Sequence, residues 1–351
     1  MNSLSSEERM QRFYSGEKID RVPMLSCATM YAGWQKGLTS EEFYFDVEKA
    51  FQAQQDVCEE KGFDDSPCYD LPHGEMLDLG GELFIPQEEK VSLPLVKSFR
   101  IQSLEEAWKY ELPPMDQRKF TKLRIAFLKY AETKGQMGVS ISAGSPFTMV
   151  GSMVDTGLLM RWLAKEPDVV RHLLDIAVQY LSETADILIQ EFGIERCSVS
   201  SNYPFESNHL ISPKVFKKYA YPAMMEIHEE LRGKGLSDFG IHLCGNHSKN
   251  LDFFKDLNLS SGSFISSDEE NSLEKVAEVL GKEHIYAGNV STKLLVEGTK
   301  EQVYSQSKEV IEQMKYNEGG FILMPSCDLP INTRPENLDA MLQAACDYGK
   351  Y

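Results

Sequence analysis

The sequence predicts an α/β fold, a (β/α)8 TIM barrel with an N-terminal helical extension and a small hairpin insertion. Short β-rich runs alternate with long amphipathic stretches through the C-terminal two thirds of the chain. Several of those runs end in polar or glycine-containing sequence, where strands of a barrel meet their loops. The length, 351 residues with 42% hydrophobic content, covers a barrel of about 250 residues and leaves about a hundred for an extension. Strands are expected over residues 22–27, 138–143, 196–201, 239–244, 263–266, 284–288 and 320–326. Between them, residues 158–192, 213–234, 272–280, 300–316 and 334–348 repeat apolar side chains at intervals of three and four, the helical period. Such alternation calls for parallel strands joined by crossover helices. A closed barrel needs an eighth strand, which we place in residues 62–71.

Local chemistry marks the remaining elements. Residues 5–15 form a helix opened by Ser5-Ser6-Glu7-Glu8, a capping hydroxyl followed by acids in the first turn. Residues 40–61 form another. Residues 82–100 alternate in character and contain Pro86 and Pro94, as in a hairpin-like insertion. Ser212-Pro213 sets a capping hydroxyl before a proline at the first helical position, and Thr333-Arg334-Pro335-Glu336 offers a similar start. No repeat or flexible linker interrupts the chain. Residues 1–351 therefore read as a single domain, with N-terminal helices, first strands and insertion in 1–135 and the main barrel in 136–351.

Composition narrows the functional classes. With 54 acidic against 36 basic residues and a net charge of -18, binding to phosphate backbones or anionic lipid is disfavoured, so nucleic acid is not expected as a partner. No apolar run reaches the length of a membrane span, and Met1 to Arg9 lacks a signal-peptide apolar region, so a cytoplasmic protein is expected. Seven scattered cysteines suit reduced thiols rather than a disulfide framework.

The chemistry concentrates in His242-Leu243-Cys244 and in Cys327 of Met324-Pro325-Ser326-Cys327-Asp328. Two residues apart on a strand, His242 and Cys244 point to one side and can grip one ion. Cys327, from a distant strand end, would complete three protein ligands, leaving zinc a fourth position for a substrate atom. A free cysteine is more commonly a small buried hydrophobe, and Cys27, Cys58, Cys68, Cys197 and Cys346 are read that way. Two thiolates and a neutral imidazole give a zinc centre of formally zero net charge, suited to alkyl transfer and equally able to activate water.

Several segments together resemble the uroporphyrinogen decarboxylase superfamily, and within it the zinc-dependent corrinoid methyltransferases. Glu8-Arg9 through Gly16-Glu17-Lys18-Ile19-Asp20-Arg21-Val22-Pro23 is similar to the family's opening. It is followed by Gly144-Ser145-Pro146-Phe147-Thr148, Leu210-Ile211-Ser212-Pro213, His242-Leu243-Cys244-Gly245-Asn246, Ala287-Gly288-Asn289-Val290, Cys327-Asp328-Leu329-Pro330 and Thr333-Arg334-Pro335-Glu336-Asn337. The resemblance covers nearly the whole chain. It implies a barrel, Zn2+ held by His242, Cys244 and Cys327 as the catalytic group, and methyl transfer between a small methylated substrate and the cobalt of a corrinoid (methylcobalamin) supplied by a partner protein. The substrate class it implies is a thiol such as coenzyme M or, in O-demethylase systems, a methoxylated aromatic.

Decarboxylases of the superfamily carry an arginine-rich segment that binds porphyrin propionates, whereas residues 23–30 here contain no arginine. The chain also departs from the methyltransferases. Tyr203-Pro204-Phe205-Glu206 stands where relatives show an Asp-Pro step, and His247 stands where threonine is common. These departures fall near the expected barrel mouth and single out Tyr203, Glu206 and His247 as substrate-binding candidates, with Asn246, Asn289 and Phe147 beside them. For four of them there is a plainer reading: a buried aromatic with its hydroxyl bonded for Tyr203, a solvated histidine for His247, loop amides for Asn246 and Asn289. Asp268, Glu269 and Glu270 offer an acid for the open zinc position or a helix-start cluster. Two other functions stay open at this stage: a metal-free decarboxylase or lyase, and a non-catalytic corrinoid-binding subunit with a structural zinc.

Overall fold

A computed structural model describes residues 4–351; the first three residues of the N-terminal reading lie outside the described residues. The chain folds as two compact units, each assembled from separated stretches of sequence. One takes the chain up to Cys68, Glu88–Ser92 and Ser260–Tyr351; the other takes Tyr69–Gln87 and Leu93–Leu259.

In the second unit, β1 (Glu82–Phe84) and β2 (Leu95–Ser98) pair antiparallel, the expected hairpin, with Phe84 opposite Leu95. Three parallel strands follow: β3 (Val139–Ser142), β4 (Cys197–Asn202) and β5 (Phe239–Leu243). Between β3 and β4 run helices Pro146–Met153, Thr156–Lys165 and Pro167–Phe192. The single helix expected over 158–192 is thus broken at Glu166, because a proline at 167 has no N–H to donate and forces the residue before it out of helical geometry. Ser212 caps its helix as expected, its side chain accepting from the Val215 N–H. The following turn is wound as a π-helix over Phe216–Ala220 before α-geometry resumes at Tyr221–Gly233.

In the first unit, β6 (Phe264–Ser267), β7 (Ile285–Val290) and β8 (Phe321–Pro325) are parallel, separated by helices Leu273–Leu280 and Lys300–Met314. Every residue of β7 and β8 is buried, which is why both read as near-continuous apolar runs. The strand expected over 22–27 is reduced to one parallel bridge, Met24 to Leu323, with Leu25 N–H donating to Leu323 O at 2.9 Å and Leu323 N–H to Pro23 O at 2.9 Å. Pro23 has no N–H for a longer ladder, and Cys27 turns the chain away at φ 52. The eighth strand expected within 62–71 is an irregular segment with a single backbone-to-backbone bond to its neighbour, Asp64 N–H to Met24 O at 2.9 Å. Each segment still occupies a stave position beside its neighbour. Eight staves alternating with helices along the chain, three in the second unit and five in the first, give the expected (β/α)8 order.

The N-terminal extension begins with helix Ser6–Tyr14, where Ser5 and Glu8 form a complete capping box. Met10 and Phe13 of this helix pack on Ile285, Ala287, Ile322 and Met324, together with Leu25, Cys27 and Phe264. The helix expected over 40–61 splits at Asp46, whose carboxylate accepts from Lys49 N–H and starts Val47–Lys61. Thr333 does not cap helix Pro335–Tyr348: Arg334 occupies the cap position with no side-chain bond. No helix of the described residues is long and apolar enough to cross a membrane.

Candidate active site

Strand β5 brings His242 and Cys244 to one strand end in the second unit. Its burial alternates, with Phe239, Ile241 and Leu243 inside and His242 half-buried, so that the period of two sets His242 and the half-buried Cys244 on the same side. Register with β4 places Asn202 opposite His242, and the ladder continues one residue further as Tyr203 N–H donates to His242 O at 3.2 Å. Gly245 then turns the chain at φ +75, where a Cβ would approach Ser207 to 3.1 Å; the position takes glycine on both counts.

The loops after β4 and β5 are fastened together from beneath. Nε2 of buried His247 lies 3.0 Å from Tyr203 O and 3.1 Å from Cys244 O, so this nitrogen carries the proton and donates to both carbonyls. Burial depresses its pKa to about 4, outweighing the two carbonyl bonds that favour the charged ring, and the imidazole is neutral. Asn208 N–H donates to Asn246 O at 2.6 Å, while the Asn246 side chain accepts from Ser248 N–H at 3.0 Å and its hydroxyl at 2.7 Å, an Asx turn. Asn250 Nδ2 donates to Glu206 O at 3.1 Å.

Tyr203 is fully buried, with its hydroxyl 2.9 Å from His228 Nε2 and its ring edge-on to Phe254. His228 also meets Ser201 Oγ at 3.3 Å and stacks on Phe239. Burial lowers the His228 pKa to about 3, so the ring is neutral. His228 escapes a reading of the sequence because it lies in mid-helix on the core-facing stripe, where nothing distinguishes it from a packing residue.

Glu206 is the least conventional group. It is 1% exposed, with Thr148 Oγ1 donating to Oε2 at 3.0 Å and Oε1 without a partner. Burial raises its carboxyl pKa to about 8, more than the Thr148 bond lowers it, so it is protonated at neutral pH. Thr148 lies in helix Pro146–Met153, which Ser145 caps by accepting from Phe147 and Thr148 N–H. Phe147 is wholly buried in that helix.

These groups set the pH dependence of stability. A carboxyl raised from 4.5 to about 8 contributes stability that is full below the lower value and lost as pH rises through the upper one. A histidine lowered from 6.5 to about 3 acts in the other direction, losing stability as pH falls below 6.5. Each pH unit between the two values is worth about 1.4 kcal/mol. Between pH 4.5 and 6.5 the two lowered histidines, His228 and His247, outweigh the one raised carboxyl, so urea melts should show greatest stability near pH 6.5, and Glu206→Gln should flatten the alkaline limb between pH 6.5 and 8. An unchanged alkaline limb in Glu206→Gln contradicts the buried neutral acid.

In the first unit, Cys327 follows the end of β8 and is half-buried. Asn289, at the end of β7, donates through Nδ2 to Asp268 O at 3.1 Å and Asn271 O at 2.9 Å, fixing the loop after β6. Glu270 N–H donates to the Asp268 carboxylate and Ser291 Oγ to Glu269, so these acids also brace loops. Asp65 accepts from Ser26 N–H and Oγ and from Cys27 N–H, a clamp between two staves that the sequence did not reveal. Of the cysteines read as core, Cys58 is buried and Cys27, Cys197 and Cys346 are half-buried. Cys68 is a correction: it is exposed, in an irregular segment where Gln54 Oε1 accepts from its backbone N–H and Gln54 Nε2 donates to its carbonyl.

The uroporphyrinogen decarboxylase (URO-D) family pattern matches residues 5–348. A methylated-thiol–coenzyme M methyltransferase of Methanosarcina mazei is 25% identical over 201 residues, 57% of this chain and 50% of the relative. A uroporphyrinogen decarboxylase of Schizosaccharomyces pombe is 23% identical over 229 residues, 61% of each chain. The chain thus spans about half to three fifths of the curated relatives it matches. A solved structure described as a methyltransferase from Methanosarcina mazei shares the fold at a TM-score of 0.72 and 23% identity, covering 98% of both chains.

Proposed function

Because the chain belongs to the uroporphyrinogen decarboxylase family, we propose that it is a zinc-dependent methyltransferase. It moves a methyl group between a small methylated substrate, a methoxylated aromatic or a thiol, and the cobalt of a corrinoid protein. The observation that carries the reading is the pairing of an imidazole and a thiol, His242 and Cys244, on one side of a strand end. In this reading Cys327, just past the end of β8, is the third ligand. A nitrogen and two sulfurs fit zinc, with one coordination position left open. Zinc so held acts as a Lewis acid on the substrate heteroatom.

The surrounding residues supply rigidity without charge. His247, neutral and bonded to the Cys244 and Tyr203 carbonyls, holds the ligand loop in place. Glu206, protonated and with a free Oε1, offers a hydrogen bond to substrate without placing an anion in the unit that carries the electron-rich thiolate. The Schizosaccharomyces relative favours a second reading, decarboxylation. Against it, residues 23–30 lack arginine, and the neighbouring Arg9 and Arg21 are committed to carboxylates of the fold, Asp20 and Asp64.

The test is to follow cob(I)alamin absorbance with zinc-loaded protein and a panel of methylated phenols, amines and thiols. Loss of the reduced-cobalt band with methoxylated aromatics or methylated thiols is expected. No loss with any class, together with carbon dioxide release from a porphyrinogen carboxylate, overturns the proposal in favour of decarboxylation.

A further inference from the structure

A cavity lies wholly within the second unit. It measures about 710 Å³, within the range of small-molecule sites, and runs between helix Pro167–Phe192 and the stretch from Tyr110 to Arg118. The helix contributes His172, Ile176, Gln179, Glu183 and Asp186, a stripe at intervals of three and four. The facing stretch contributes Leu112, two prolines and Met115, which give it an apolar wall.

Hydrogen-bond accounting decides what such a cavity takes. Arg118 is 3% exposed; its Nε donates to Pro113 O at 3.0 Å and its Nη2 to Glu183, while Nη1 is buried without a partner. Nε2 of His172, stacked on exposed Trp108, is also buried and unpartnered. Two acids of the lining are already engaged: Glu183 also accepts from Gln179 Nε2 at 2.7 Å, and Asp186 pairs with Lys234 at 2.6 Å. A buried donor left unmade is costly, so the vacant capacity here calls for an acceptor. The charge of Arg118 is already balanced by Glu183, and Glu111 adds a further negative group at the lining, so a carboxylate ligand would lack a countercharge.

We infer that this cavity is a binding site for a small uncharged ligand with a carbonyl acceptor on an apolar or aromatic body, held through the unpartnered Arg118 donor against the proline-rich wall. It does not depend on the metal or on the methyltransferase reading. Benzamide is a suitable probe, with benzoate and benzylamine as charged counterparts of the same size, measured by saturation-transfer NMR and calorimetry on the full chain. Benzamide should bind saturably and at least ten-fold more tightly than either charged compound. Gln179→Trp, a substitution at an exposed lining position that fills the cavity, should weaken benzamide binding at least ten-fold, whereas Cys244→Ala should leave it unchanged. Arg118→Lys should weaken it comparably where that variant folds. Absence of saturable benzamide binding, benzoate binding as tightly as benzamide, or full binding in Gln179→Trp would each overturn the assignment.

Discussion

Cys244→Ala is expected to lose stoichiometric zinc and to lower methyl transfer by about three orders of magnitude or more. A catalytic zinc retained by three protein ligands has none to spare, and two remaining ligands leave a site open to exchange with solvent. In the proposed mechanism zinc would act on the substrate heteroatom as charge develops, and removal of one such stabilising group alone costs roughly 10²–10³ in rate. Losing the ion removes the whole contribution. His242→Ala and Cys327→Ala should behave alike, because three ligands of one ion would act as a unit and their effects would not add. Cys346→Ala is the control: half-buried in helix Pro335–Tyr348, it should keep its metal and its rate. Metal analysis of the purified variants and single-turnover cobalt spectroscopy separate the outcomes. A Cys244→Ala protein with full zinc and full rate would refute the proposed ligand set, and one with full activity and no zinc in either form would favour the metal-free lyase.

What could be read from the sequence follows from the range of the interactions involved. Strands β3 to β8 fall within a residue or two of expectation because apolar patterning is a local property, and both β7 and β8 are buried on every residue. The stave at Met24 is expected as a full strand and forms a single bridge, and the one at Asp64 is legible only as a gap, since each is held by bonds to residues distant in sequence rather than by patterning of its own. The same holds at the site. His242 and Cys244 announce themselves by spacing, whereas Thr148 meets Glu206 across 58 positions and His228 meets Tyr203 across 25. Helix breaks were missed at Glu166 and Asp46 although Pro167 and an Asx cap stood in the sequence, because continuous helical periodicity masked the local stop. The segment from Glu8-Arg9 to Asp20-Arg21, prominent in the family resemblance, proves to be architectural.

Asp64→Ala is accordingly the substitution expected to damage the fold most. Asp64 is 3% exposed and sits between two buried guanidinium groups: Arg9 Nη1 donates to Oδ1 at 2.7 Å and Arg21 Nη1 to Oδ2 at 2.9 Å. Met24 N–H donates to Oδ2 at 2.8 Å, and Asp64's own N–H returns to Met24 O, so one residue joins two staves. Arg9 has a second carboxylate in Asp20, which desolvation would raise but which bonds from Arg9 and Leu4 N–H hold at a pKa of about 2. Among the described residues Arg21 has no such second acid, and its guanidinium otherwise meets backbone carbonyls, Val22 O and the more distant Gly62 O. Removing Asp64 therefore strands the Arg21 charge in the interior along with an unpaired Met24 amide, and breaking a buried pair in this way costs about 3–5 kcal/mol. Asp64→Asn keeps the amide contact and loses the charge, so it should fall between wild type and Asp64→Ala. Combining Asp64→Ala with Arg21→Met should recover part of the loss, since the second change removes the stranded charge. Urea denaturation followed by far-UV circular dichroism measures all four proteins. A loss below about 1 kcal/mol in Asp64→Ala, the range of exposed ion pairs, would show that the cluster does not hold these staves together.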